Sequence, residues 1–143
     1  MRWVVKNIIN ESEESDLINY CGNSRRLIKN SQHKILSKIL DVIRDYVDFD
    51  IKDESYFKIE SRPAGHPWHK DTGSNDHMLW CQVGGTILLS GDHTGGEISY
   101  RNEDGTEEMI KDREKHDLYF HTSDVFHKIE TSDGKRSAFL IFI

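Results

Sequence analysis

A chain of 143 residues is long enough to bury a core without disulfides or a structural metal, and its net charge of −6 argues against charge-driven binding to duplex nucleic acid, which depends on Lys and Arg neutralising phosphates. A hydrophobic share of 36% beside a charged share of 31% describes one small soluble domain, residues 1–143, with a thin core. No apolar run approaches the ~18 residues of a membrane span, and Met1-Arg2-Trp3-Val4-Val5-Lys6 lacks the pattern of a secretion signal, so a cytoplasmic monomer with no membrane partner is expected.

Residues 3–9 read as a short strand. Asn10 stands three residues before Glu13, an arrangement suited to capping a helix start, and Leu17, Ile18 and Cys21 give that helix an apolar face before Gly22 ends it. After a basic linker at Arg25-Arg26, residues 31–47 carry Ile35, Leu36, Ile39, Leu40, Ile43 and Val47 at helical spacing. This second helix is predicted to lie on a sheet, with Lys34, Lys38 and Asp41 on its wet face and His33 exposed to solvent. Cys21 and Cys81 are far apart and lack any Cys-x-x-Cys spacing, so both read as reduced thiols.

From residue 56 the period changes. Tyr56-Phe57-Lys58-Ile59-Glu60 alternates, Pro63-Ala64-Gly65 turns, and residues 68–71 resume an extended run. Residues 72–77 read as a loop. Residues 78–83 and 86–90 read as strands interrupted by Gly84-Gly85, a bulge or a close backbone approach. Residues 97–100 and 107–110 flank Asp104-Gly105, a hairpin signal. Residues 118–120, 126–130 and 135–143 complete a set of about eight short strands with no helix among them, which implies an antiparallel sandwich or barrel.

His69-Lys70-Asp71 falls in one of these extended runs, where alternate side chains share a face, so an imidazole and a carboxylate are presented together. Eight histidines and 14 aspartates in 143 residues give roughly 0.8 such triplets by chance, and the surroundings must carry the case. His127 offers a third ligand, and two histidines with one carboxylate are the ligand set of non-haem Fe(II) oxygenases. Between His127 and Arg136 lies the turn-forming cluster Thr131-Ser132-Asp133-Gly134. With a two- or four-residue hairpin loop, Arg136 falls on the face of His127 by parity, where its planar guanidinium is suited to gripping a carboxylate. Metal affinity is then expected to fall as pH drops toward the histidine pKa of ~6.5. His66, His77, His93, His116 and His121 are read as mostly solvated, with His66 and His77 near enough in sequence to meet substrate. Trp68 and Trp80 are read as core, and Gly95-Gly96 as a tight strand entry without a chemical role.

The ordered series His69-Lys70-Asp71, Thr86-Ile87-Leu88-Leu89, Gly95-Gly96-Glu97-Ile98, Asp117-Leu118-Tyr119-Phe120, His127 and Gly134-Lys135-Arg136 resembles the 2-oxoglutarate and Fe(II)-dependent oxygenases, and within them the small prolyl-4-hydroxylase-like branch. The resemblance covers residues 56–143 and implies a mainly β fold, a double-stranded β-helix or jelly roll, with residues 1–55 supplying a supporting strand and two N-terminal helices packed on the sheet. It implies Fe(II) held by His69, Asp71 and His127, and 2-oxoglutarate held by Arg136, with Gln82, Thr86 and Leu88 lining its pocket. It also implies O2 as oxidant, ascorbate as an accessory, and hydroxylation of a prolyl or other amino-acid side chain in a protein, peptide or small amino-acid-like substrate. Two positions depart from the family pattern: Ala138 stands where a serine is frequent, and Ile59 where a tyrosine is.

Three other functions compete. Nucleic-acid demethylation would use the same chemistry, but such relatives carry a further arginine where Phe142 stands. A cupin-like metal-binding protein without oxygenase activity would need no Arg136. In a plain β-sandwich interaction module the four groups would not converge.

Overall fold

The computed structural model describes residues 1–21, 26–28, 33–72, 78–89 and 91–143. The expected helix end at Gly22, Arg25, the helix start at Ser31, the loop residues 73–77 with His77, and Ser90 lie outside these residues.

Strand β1 (Arg2–Val5) leads into helix α1 (Glu11–Cys21). The Glu13 N–H donates to Asn10 Oδ1 at 2.8 Å, and the Asn10 N–H donates to Glu13 Oε1 at 3.2 Å. This reciprocal box satisfies two backbone donors that the first turn leaves without partners. Asn10→Ala is expected to lower stability by about 1 kcal/mol, measured by denaturant unfolding. Strand β2 (Arg26–Ile28) occupies part of the expected linker, and helix α2 (Lys34–Tyr46) follows. His33 is not a solvated side chain: its Nδ1 accepts the Ile35 N–H at 3.2 Å, and its ring lies 4.2 Å from that of Tyr20. It caps α2.

Ten strands follow: β3 (Ser55–Glu60), β4 (His66–His69), β5 (Val83–Leu88), β6 (His93–Gly95), β7 (Ile98–Arg101), β8 (Glu107–Ile110), β9 (Leu118–Thr122), β10 (His127–Ile129), β11 (Ser132–Gly134) and β12 (Ala138–Phe142). They form a jelly roll. A six-stranded sheet runs β1-β9-β5-β12-β3-β2, a four-stranded sheet β4-β10-β7-β8, and a two-stranded ribbon β11-β6, with every pairing antiparallel. The first 55 residues thus contribute both edge strands of the large sheet as well as the helices.

Alternation divides the large sheet into two surfaces. Phe57, Val83, Ile87, Leu118, Phe120, Phe139 and Ile141 meet Leu17 and Cys21 of α1 and Ile35, Leu36, Ile39, Leu40 and Ile43 of α2 in one buried cluster. The other surface carries Thr86 of β5, His121 of β9 and Ala138 of β12, and it bounds a cavity. The helices thus cover one face of the sheet and leave the other to the site. No disulfide joins Cys21 and Cys81, both of which are buried, and among the described residues no helix is long and apolar enough to cross a membrane.

Two local expectations change. Residues 78–80 are not strand; they turn, closed by the Cys81 N–H on Met78 O at 2.9 Å, with Met78 at φ 53°. β5 then runs through Gly84-Gly85 without interruption, paired with β12 on one side and β9 on the other. Residues 131–134 are not a hairpin turn either. Ser132–Gly134 forms β11, paired with β6 through Ser132 opposite Gly95. His127 lies in β10 and Arg136 in the connection between β11 and β12, so hairpin parity does not relate them.

Candidate metal centre and its cavity

β4 and β10 pair with His127 opposite His69, which brings their ring centroids within 4.2 Å. Asp71 lies beyond the end of β4, so strand alternation does not by itself aim it. It turns inward nonetheless, buried, with Oδ1 3.5 Å from His127 Nε2 and 3.9 Å from His69 Nε2. One ligand atom from each of the three residues lies within 4.8 Å of the others. His69 Nδ1 is 2.7 Å from Pro67 O, and His127 Nδ1 is 3.0 Å from Val125 O. A carbonyl oxygen only accepts, so both Nδ1 atoms carry the proton. Both Nε2 lone pairs are left facing Asp71, the tautomer a metal ligand requires.

The second oxygen of Asp71 is held by His121, whose Nε2–H donates to Oδ2 at 2.8 Å. His121 is 3% exposed, not solvated. The signal was present in the sequence: Leu118 and Phe120 face the core, so His121 must fall on the opposite, cavity-side face. Gly84 faces the same carboxylate, and a Cβ there would collide with Asp71 Oδ2 and stand 3.2 Å from His121 Nε2. The close backbone approach expected at Gly84-Gly85 thus accommodates the Asp71 carboxylate.

Burial, reinforced by the neighbouring His121 ring, pulls His127 down to about 3 against the opposing effect of Asp71. His69 is lowered for the same leading reason. Burial works to raise the Asp71 carboxyl, but the His121 hydrogen bond and the adjacent imidazoles outweigh it and hold it below its ordinary range. Asp71 is therefore charged and the two imidazoles neutral under conditions where a free imidazole of pKa ~6.5 would begin to protonate. Competition from protons should set in below that pH rather than on approach to it. The sign for stability follows: a depressed histidine pKa leaves the protein most stable above ~6.5, with stability lost as pH falls toward the folded value of about 3, because the unfolded chain binds the proton first. Urea unfolding of the metal-free protein at a series of pH values is expected to show that decline starting near 6.5.

The cavity beside these residues has a volume of about 120 Å³. Thr86 and Arg136 line it together with His69, Asp71, His121 and His127. Neither Gln82 nor Leu88 does: the Gln82 amide donates to Asp50 O at 3.2 Å, and Leu88, though it shares the face of Thr86, is buried outside the lining. Arg136 is buried and its Nε has no hydrogen-bond partner. Burial lowers its pKa, and Glu60 works in the opposite direction. Gly96, at φ +74°, gives Arg136 its place, since a Cβ there would lie 2.6 Å from Arg136 Cδ. Gly95-Gly96 is therefore more than a strand entry. Trp68 is not core but lies between Arg101 and Lys128, whose charged groups are 4.5 Å and 5.3 Å from its ring, and Trp80 is 44% exposed. His116, also read as solvated, is 8% exposed and packs beside Glu14. Glu11, Glu14 and His116 also bring one ligand atom each within 4.8 Å of the others, but that group already holds an ammonium, with Lys115 Nζ at 3.0 Å from Glu11 and 3.3 Å from Glu14.

No family model matches the sequence, and no curated protein matches it. Solved structures do. A prolyl-4-hydroxylase from Pseudomonas putida superposes with a TM-score of 0.72 at 16% identity, covering 99% of this chain and 83% of that one. An oxidoreductase of the 2OG-Fe(II) oxygenase family from Burkholderia pseudomallei gives 0.69 at 10% identity, over 99% and 82%. HygX from Streptomyces hygroscopicus, solved with nickel and 2-oxoglutarate bound, gives 0.61 at 12% identity, over 99% and 81%. The nearly complete coverage includes the N-terminal strand and helices, so the shared architecture extends beyond residues 56–143: this chain has the fold of the 2-oxoglutarate–Fe(II) oxygenases and prolyl 4-hydroxylases.

Proposed function

We propose that the protein is a 2-oxoglutarate- and O2-dependent Fe(II) dioxygenase that hydroxylates a C–H bond of a prolyl or other amino-acid side chain, releasing succinate and CO2. The observation that carries this reading is the buried Arg136 guanidinium, with no carboxylate within ion-pair distance among the described residues, in the same cavity as the His69, Asp71 and His127 ligand atoms. A buried cation that no carboxylate pairs directly is costly, and a dicarboxylate is the ligand that would pair with it while reaching the metal. The prolyl assignment draws on the likeness to the Pseudomonas putida prolyl-4-hydroxylase fold.

His69, Asp71 and His127 would hold Fe(II) on one side and leave its remaining positions open, and the bound ion would supply O2 activation coupled to oxidative decarboxylation of the 2-oxo acid. The chain's own residues do the rest. Pro67 O and Val125 O fix the ligand tautomers, and His121 holds the free oxygen of Asp71 so that the other faces the ion. Arg136 takes the distal carboxylate of the cosubstrate, and Thr86 lines the same cavity. The carboxylate of Asp71 would complete the ligand set with the two imidazoles and supply its negative charge.

Purified protein with Fe(II), ascorbate and 2-oxoglutarate is expected to form succinate above background, and Arg136→Ala to abolish it. Turnover without the prime substrate is slow in uncoupled enzymes, so calorimetric titration of 2-oxoglutarate into the Mn(II) form is the second measurement. No binding there would end the reading in favour of a metal-binding protein of another kind.

A further inference from the structure

The loop between β8 and β9 carries a second arginine that faces inward. Arg113 is half-buried as a residue, yet its Nε and Nη1 are shut off from solvent and have no hydrogen-bond partner. Its remaining nitrogen, Nη2, donates to Thr86 Oγ1 at 2.8 Å, and its guanidinium lies 5.4 Å from the Tyr119 ring. Among the described residues no carboxylate lies within ion-pair distance of it. Burial first, and then the charge of Arg136, pull Arg113 down to about 10 against the opposing effects of Tyr100, Tyr119 and Asp117, so it stays charged at neutral pH. His93 Nδ1 and the Tyr100 hydroxyl, both influenced by the Arg113 charge, are likewise buried without partners.

We propose that Arg113 is a positioning residue for the anionic cosubstrate, acting through Thr86 and alongside Arg136, and that the pair makes this wall of the cavity selective for a 2-oxo acid bearing a second carboxylate. The inference rests on the oxygenase reading above. A hydroxyl has one proton and two lone pairs. Because Thr86 Oγ1 accepts from Arg113, its own O–H must turn elsewhere, and Thr86 lines the cavity. Thr86 thereby becomes a donor toward a ligand oxygen. Two guanidiniums that repel each other in a poorly solvated wall are also a standing cost, which one carboxylate bound at Arg136 relieves for both. A monocarboxylic 2-oxo acid brings no charge to that wall.

The test titrates two acids into the Mn(II) form: 2-oxoglutarate, and 2-oxopentanoate, which has the same carbon chain without the second carboxylate. Wild type, Arg113→Met, Thr86→Val and the double variant are compared. Arg113→Met is expected to weaken 2-oxoglutarate at least about tenfold and to leave 2-oxopentanoate within about twofold. The double variant is expected to lose less than the product of the single losses, because the two side chains act in series. The metal-free Arg113→Met protein is expected to melt at or above the wild-type temperature, since it no longer buries an unpaired cation.

Unchanged 2-oxoglutarate binding in Arg113→Met, or an equal loss for both acids as a purely structural role would give, overturns the proposal. Should Arg113→Met fail to fold, Thr86→Val alone decides, and wild-type 2-oxoglutarate affinity in that variant sinks it. Wild-type protein that binds neither acid removes the oxygenase reading and this inference with it, whereas failure confined to the variants removes only this inference.

Discussion

Asp71→Ala is expected to weaken binding of Fe(II), or of Mn(II) as its stand-in, by more than the roughly 10–100-fold that loss of an outer-shell partner costs, and to abolish succinate formation. Asp71 is the only anionic member of the ligand set, and its charge is maintained in a buried position by His121 and the flanking imidazoles. His121→Phe supplies the contrast. It keeps a ring of similar size in β9 but removes the donor to Asp71 Oδ2, so metal affinity should fall within that 10–100-fold range while a measurable site survives. Calorimetry with Mn(II) separates the two. Equal and complete loss in both variants would mean that His121 is itself a ligand; no loss in His121→Phe would mean that Asp71 needs no support to hold its orientation.

Gly84→Ala and Gly96→Ala are expected to damage different halves of the same cavity. A methyl group added at Gly84 would occupy the place of Asp71 Oδ2, forcing the carboxylate away from His69 and His127, so metal binding should be reduced to the level of the Asp71→Ala protein. A methyl group added at Gly96 would press on Arg136 Cδ and Nε, at 2.6 Å and 2.8 Å, from a backbone at φ +74° that L side chains rarely adopt. Here metal affinity should be preserved and 2-oxoglutarate affinity reduced by at least about tenfold, together with some loss of stability. Circular dichroism and parallel titrations of Mn(II) and 2-oxoglutarate check both. A Gly84→Ala protein with normal metal affinity would show that Asp71 has freedom the packing denies it.

Local periodicity and short-range capping were legible in advance because they depend on neighbours in the chain. The Asn10–Glu13 box, the buried stripe of α2 and the Asp104-Gly105 hairpin are where pattern and turn chemistry put them. His121 was legible in principle from the alternation of Leu118 and Phe120, but the polar residues after it resemble a loop. Arg113 was not: it sits in the charged run Lys111-Asp112-Arg113-Glu114-Lys115, in which nothing separates the side chain that folds inward from the four around it. Nor could spacing show that β10 and β12 belong to different sheets, since the turn-forming residues between them instead found a partner in β6.

The sequence by itself determined which side chains have the chemistry for a metal and an acid, and which segments alternate as strands or run as helices, because residue type and period are properties of the chain alone. The tertiary structure decided how those side chains meet. It turned Asp71 inward past the end of its strand, set His121 behind it, opened space at Gly84 and Gly96, brought Arg136 to the cavity and joined Arg113 to Thr86 of its lining. Each of these depends on contacts between residues remote along the chain, where packing and the cost of a buried charge outweigh any local preference.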